Sequence, residues 1–135
     1  MAQVGLLEDN MRIARLCATM LQYAGHDVTI YEHPRDCLRA LVTPNDYSQQ
    51  LYRPPLPVDI LMLDLHLPDI GGLEVLRYLR AHPYTKSLPL IFCTAAPPSE
   101  VAQAFRLAPE ASFIEKPFTF QELISTVADT LKAFA

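Results

Sequence analysis

Five times along this chain a short apolar or β-branched run gives way to a segment of helical period. The runs are residues 4–7, 28–31, 60–63, 89–94 and 112–114. Apolar runs this short, bounded by turn residues, predict strands buried on both faces. Parallel strands cannot be joined by tight hairpins; they need crossover connections, which helices supply. The alternation therefore predicts an α/β fold, a five-stranded parallel sheet with helices on both faces.

The intervening segments have the period to match. Ile13, Leu16, Cys17, Met20 and Ala24 fall on one helical face, and Gly25 stops that helix. Pro34 opens a second helix, with Cys37, Leu38, Leu41 and Val42 inward. Leu73, Leu76 and Leu79 mark a third, with Asp69 as its cap and His82-Pro83 closing it. Pro97-Pro98-Ser99-Glu100 start a fourth, with Val101, Ala104 and Phe105 inward. The fifth runs from about Thr119, with Leu123, Val127, Leu131 and Phe134 on one face. One stretch breaks the rhythm. Pro44, Pro54, Pro55 and Pro57, set among polar residues and tyrosines, exclude a long helix or an inner strand at 43–57. That stretch reads as a surface loop insertion in a single domain of residues 1–135. It leads into the start of the third strand, the end remote from Asp64.

Composition excludes several function classes. A net charge of −4 leaves no basic footprint for nucleic acid. No apolar run approaches the ~20 residues of a membrane span, and no basic segment precedes Glu8-Asp9 as a signal peptide requires. Cys17, Cys37 and Cys93 are far apart, in apolar contexts and without metal-ligand spacing. They read as reduced thiols of a cytoplasmic protein.

Four of the runs end in chemistry: Glu8-Asp9, Asp64, Thr94 and Lys116. In a parallel sheet these ends share one edge, where ligands of open α/β sheets bind. Three carboxylates side by side repel unless a cation neutralises them. An oxygen-only donor set with room for water suits Mg²⁺. A threonine hydroxyl and a lysine ammonium complete a site for a phosphoryl group. A carboxylate nucleophile there forms an acyl phosphate, with the cations stabilising the equatorial oxygens.

On Glu8-Asp9, Asp64, Thr94-Ala95 and Lys116-Pro117-Phe118, each directly after a strand, the chain resembles a response-regulator receiver domain, the phospho-accepting module of two-component signalling. The resemblance implies a flavodoxin-like (βα)5 fold with strand order 2-1-3-4-5. It implies that Asp64 accepts a phosphoryl group from the phosphohistidine of a histidine kinase or phosphotransfer protein. Glu8, Asp9 and Asp64 would hold Mg²⁺ with the backbone carbonyl of His66. Thr94, Ala95 and Lys116 would contact the phosphoryl oxygens, and the Lys116–Pro117 bond would be cis. Thr94 and Phe113 would act as the switch pair. They would reshape the face of the fourth helix, fifth strand and fifth helix for a downstream protein or a second copy of the chain. His66 and Ala96 occupy the positions that tune dephosphorylation. The resemblance implies no enzyme beyond auto-dephosphorylation, and no nucleic-acid or membrane partner.

Departures from the family pattern are the 43–57 segment and Pro109-Glu110-Ala111, where a glycine-containing turn is usual. Rival functions fit less well. A flavin-binding relative needs a hydroxyl- and glycine-rich phosphate loop where Glu8-Asp9 stand. An aspartyl-phosphate phosphatase carries a second Asp where this chain has His66. A pseudo-receiver would lack one of the five positions, all of which are present.

Overall fold

The computed structural model describes residues 2–42, 56–65, 71–83 and 85–133. In chain order the elements are β1 (Gln3–Leu7), α1 (Met11–Tyr23), β2 (Asp27–Tyr31), α2 (Pro34–Leu41), β3 (Ile60–Leu63), α3 (Gly72–Ala81), β4 (Leu90–Thr94), α4 (Pro98–Leu107), β5 (Ser112–Glu115) and α5 (Phe120–Ala133). The strands form one sheet of order β2-β1-β3-β4-β5, and every adjacent pair is parallel. This is the flavodoxin-like arrangement expected from the sequence.

Alternation of side chains along each strand divides the core in two. Leu61 and Leu63 of β3 join Leu7, Leu90 and Phe92 under α2, α3 and α4. Ile60 and Met62 join Val4, Leu6, Ile91 and Ile114 under α1 and α5. β3 is buried on both faces, which is why its sequence is an unbroken apolar run. All three cysteines are buried free thiols.

Local signals set the helix ends. The Asn10 side chain accepts the N–H groups of Arg12 and Ile13, satisfying two orphan donors of α1. At its other end Gly25 takes a φ of 97°. Its N–H donates to the Gln22 carbonyl and that of His26 to the Leu21 carbonyl, a paired closure that only a left-handed residue allows easily. α5 opens on a reciprocal box. The Thr119 hydroxyl accepts from Glu122 N–H at 3.1 Å, and the Glu122 carboxylate accepts from Thr119 N–H at 2.8 Å.

Three details differ from the sequence reading. On α1 the buried residues are Ala14, Cys17, Ala18 and Leu21, while Leu16 is 55% exposed. The predicted stripe is rotated because it passes over Ala14 and Ala18, the two alanines that let the helix lie close on the sheet. On α5 Thr130 is buried; its hydroxyl is 2.6 Å from that of Ser112 and donates to the Thr126 carbonyl. Leu131 is only partly buried. α3 has Gly71, not Asp69, at its cap position; Asp69 lies outside the described residues, as do 43–55 of the Pro-rich stretch.

Candidate functional site

The parallel ladder continues one residue past three strands. Glu8 N–H donates to the Tyr31 carbonyl at 3.3 Å, Asp64 N–H to Leu7 at 3.2 Å and Lys116 N–H to Thr94 at 3.2 Å. Each residue that leaves its strand is thus still held by the neighbouring one. The side chains of Glu8, Asp64 and Lys116 meet as a result at the C-terminal edge of the sheet.

The Lys116 ammonium lies between two carboxylates. Nζ donates to Glu8 Oε1 at 2.5 Å and to Asp64 Oδ2 at 3.0 Å. The side chains are 17%, 4% and 8% exposed respectively, so these bonds are little screened by water. Burial by itself would draw the ammonium's pKa down. The bonds to Glu8 and Asp64 outweigh it and hold Lys116 well above its ordinary range. Burial holds the Glu8 carboxyl above its ordinary value, against the pull of Lys116 and of the Asn10 N–H. Glu8, Asp9 and Asp64 each offer an oxygen, and these atoms lie within 4.8 Å of one another. Asp9 is the exposed member. Three hard anionic oxygens in such a cluster fit Mg²⁺, a hard cation that takes oxygen ligands and keeps several waters.

Thr94 is buried on the last residue of β4, and its hydroxyl accepts the Ala96 N–H at 3.0 Å. Ala95 is exposed beside it. The Lys116–Pro117 bond is cis, as expected. Phe113 is 37% exposed and packs edge to face on Phe105 of α4 at 6.4 Å, which packs on Phe92 at 5.3 Å. His66 lies outside the described residues.

Two positioning residues carry more weight than sequence alone suggests. In the sequence Gly72 is only a chain break. A Cβ there would sit 2.4 Å from Leu65 Cα and 2.6 Å from the Asp64 carbonyl oxygen, so α3 starts hard against the strand end that bears Asp64. Asn10 has no role in the sequence reading. It caps α1 while its N–H donates to Glu8 Oε2 at 3.2 Å, fixing the carboxylate that faces Lys116. The signal for Gly72 is its place just after the strand; for Asn10, its place between Glu8-Asp9 and the helix. Asp59 braces the entry to β3: its carboxylate accepts Gln3 N–H at 2.7 Å.

Comparison with known proteins gives a consistent set of likenesses. The family model for the response regulator receiver domain matches residues 4–128. The transcriptional regulatory protein CreB of Escherichia coli is 34% identical over 131 residues, covering 96% of this chain and 50% of CreB. The receiver domain of the Francisella response regulator 1452 superposes with a TM-score of 0.79 at 21% identity, covering 100% of both chains. The Vibrio cholerae chemotaxis protein CheY4 superposes with a TM-score of 0.75 at 21% identity, covering 96% of this chain and 98% of its own. The chain spans about half the length of the curated relatives it matches.

Proposed function

The chain belongs to the response regulator receiver domain family, and from that premise we propose that Asp64 takes up a phosphoryl group from the phosphohistidine of a histidine kinase or phosphotransfer protein. Receiver domains are signalling modules of two-component systems rather than enzymes of the usual kind. The observation that carries the reading is the meeting of Glu8, Asp9 and Asp64 within 4.8 Å, with Lys116 bridging Glu8 and Asp64.

In the transfer, an Asp64 oxygen forms a bond to phosphorus as the phosphorus–nitrogen bond to the donor imidazole breaks. The electron pair stays on that nitrogen, which then takes a proton. Glu8, Asp9 and Asp64 would hold Mg²⁺, with the His66 carbonyl as a further ligand; when bound, the ion offsets negative charge on the phosphoryl oxygens. Lys116 stays charged throughout and moves its hydrogen bonds toward those oxygens. The Thr94 hydroxyl and the Ala95 N–H contact them from β4. His66 and Ala96, two residues after Asp64 and Thr94 in sequence, tune how fast water removes the phosphoryl group.

The proposed consequence is a two-state change. Thr94 is drawn to the phosphoryl group, Phe113 moves inward behind it, and the α4–β5–α5 face is repositioned for a downstream protein or a second copy of the chain. One or two charge-assisted hydrogen bonds supply the roughly 1.4 kcal/mol that changes a population ratio tenfold. We place the whole of 1–135 in one cytoplasmic receiver domain, with 43–57 as an insertion away from the site. Among the described residues no helix is long and apolar enough to cross a membrane.

The test is incubation with acetyl phosphate and Mg²⁺, followed by mass and hydroxylamine sensitivity. The chain should gain one phosphoryl group as a hydroxylamine-labile acyl phosphate, and Asp64→Asn should gain none. A variant that is still phosphorylated sinks the assignment of Asp64.

A further inference from the structure

The two ends of α4 are held by different kinds of contact. At the start, Pro97 and Pro98 have no N–H to give. The segment entering the helix is tied to β4 through the Ala96 N–H, which donates to the Thr94 hydroxyl at 3.0 Å. That hydroxyl is the group the proposed function draws toward the phosphoryl oxygens. No side-chain cap closes this end of α4 among the described residues.

The far end is tied to α3 by an ion pair whose arginine also bonds two backbone carbonyls. Arg80, in the last turn of α3, is 11% exposed along its side chain, and its Nη2 donates to Glu110 Oε1 at 2.8 Å. The same guanidinium donates to the carbonyls of Thr85 and Leu88, each at 3.2 Å. Thr85 is itself fixed, its buried hydroxyl donating to the Leu79 carbonyl. Glu110 lies just past Ala108, the fully buried residue that closes α4, whose carbonyl accepts the Ala111 N–H at 3.1 Å. One planar cation thus joins α3, the loop before β4 and the loop after α4.

We infer that the Arg80–Glu110 pair is the fixed pivot of α4, so that phosphorylation swings the helix from its N-terminal end while the C-terminal end stays in place. The inference rests on the proposed phosphorylation of Asp64 and says how its signal leaves the site. The pivot keeps the Phe105–Phe113 contact, in the last two turns of α4, within reach of the moving β5 aromatic. Loss of the pivot turns a directed swing into a general loosening.

Amide hydrogen exchange read by mass spectrometry distinguishes the two. The chain is compared with Mg²⁺ alone and with Mg²⁺ plus beryllofluoride, a tetrahedral phosphoryl mimic. In the parent, peptides covering 96–104 should change their exchange by about threefold or more, and peptides covering 106–111 by less than about twofold. Glu110→Ala should raise exchange at 106–111 before the mimic is added and let the mimic act on both ends. Glu74→Ala removes the exposed Arg77–Glu74 pair on α3 and should behave as the parent, which excludes a general effect of losing a surface ion pair. Equal responses at the two ends of the parent, or unchanged exchange at 106–111 in Glu110→Ala, overturn the pivot. Failure of the parent to gain a phosphoryl group from acetyl phosphate overturns the proposed function and the pivot with it. Phosphorylation without a one-ended response overturns the pivot alone.

Discussion

Replacing Lys116 by methionine keeps the length of the side chain and removes the charge between Glu8 and Asp64. At 2.5 and 3.0 Å, and with an effective dielectric of about 20, the two attractions amount to roughly 5–7 kcal/mol each before desolvation is subtracted. Desolvation of three groups that are at most 17% exposed cancels much of that. The net cost of removing one partner from such a buried pair is about 3–5 kcal/mol, because the remaining charges stay buried without the ammonium that balanced them. The low end, about 3 kcal/mol, is expected here, since Asp9 is exposed and water reaches the edge of the cluster. The loss should depend on pH. In the parent, Glu8 is already held above its ordinary pKa by burial; without the ammonium it rises further. A carboxyl raised in the folded state gives stability below its unfolded pKa and loses it as pH rises through the folded value. The variant's deficit should therefore be smaller at pH 5 than at pH 7.5, with each tenfold gain in the proton affinity of Glu8 worth about 1.4 kcal/mol. Urea unfolding of Lys116→Met and parent with chelator present, at pH 5 and pH 7.5, measures this directly. Mg²⁺ at about a hundred times its dissociation constant should return about 2.7 kcal/mol to the variant. Equal stability of the two proteins at pH 7.5, or a deficit identical at both pH values, would show that the ammonium does not compensate these carboxylates.

Thr94→Ala should still accept a phosphoryl group at Asp64 but lose the phosphorylation-dependent gain in partner affinity or self-association; titration before and after phosphorylation decides it, and a full gain refutes the role of this hydroxyl. Gly72→Ala forces a methyl group into the backbone of Leu65 and should cost about 1–3 kcal/mol in urea unfolding while slowing phosphorylation by acetyl phosphate; unchanged values for both would mean that the start of α3 gives way freely. The three thiols should resist a disulfide reagent in the native protein and react on unfolding, since burial raises all of them, Cys17 to about 11 and Cys37 to about 12; rapid labelling of the folded chain would contradict their burial.

The sheet was legible in the sequence because a strand buried on both faces leaves a continuous apolar run, as 60–63 does. The gathering of Glu8, Asp64, Thr94 and Lys116 on one edge followed from parallel topology, since every strand then points the same way. The pairing within the site did not follow. Glu8 is expected as a metal ligand, and nothing local to it announces Lys116, 108 positions away, as its hydrogen-bond partner. The misjudged face of α1 has a similar origin: alanines carry little hydropathy, so a helix packed through Ala14 and Ala18 hides its inner stripe. Thr130 was missed because its partner, the Ser112 hydroxyl, lies on another element. Hydroxyls that satisfy each other across a core look like surface residues until both are placed.

The ladder bonds that hold Glu8, Asp64 and Lys116 by the strands beside them have a consequence for how such a chain can diversify. Asp64, Glu8 and Lys116 inherit their backbone spacing from the sheet. Partner recognition is proposed to sit on α4, β5 and α5, whose outer residues are free to vary without disturbing that spacing. A lineage built this way can trade partners while the proposed phosphate chemistry stands still. The same division invites grafting: outer helix faces exchanged between such chains should yield hybrids that respond to a new partner on an old trigger.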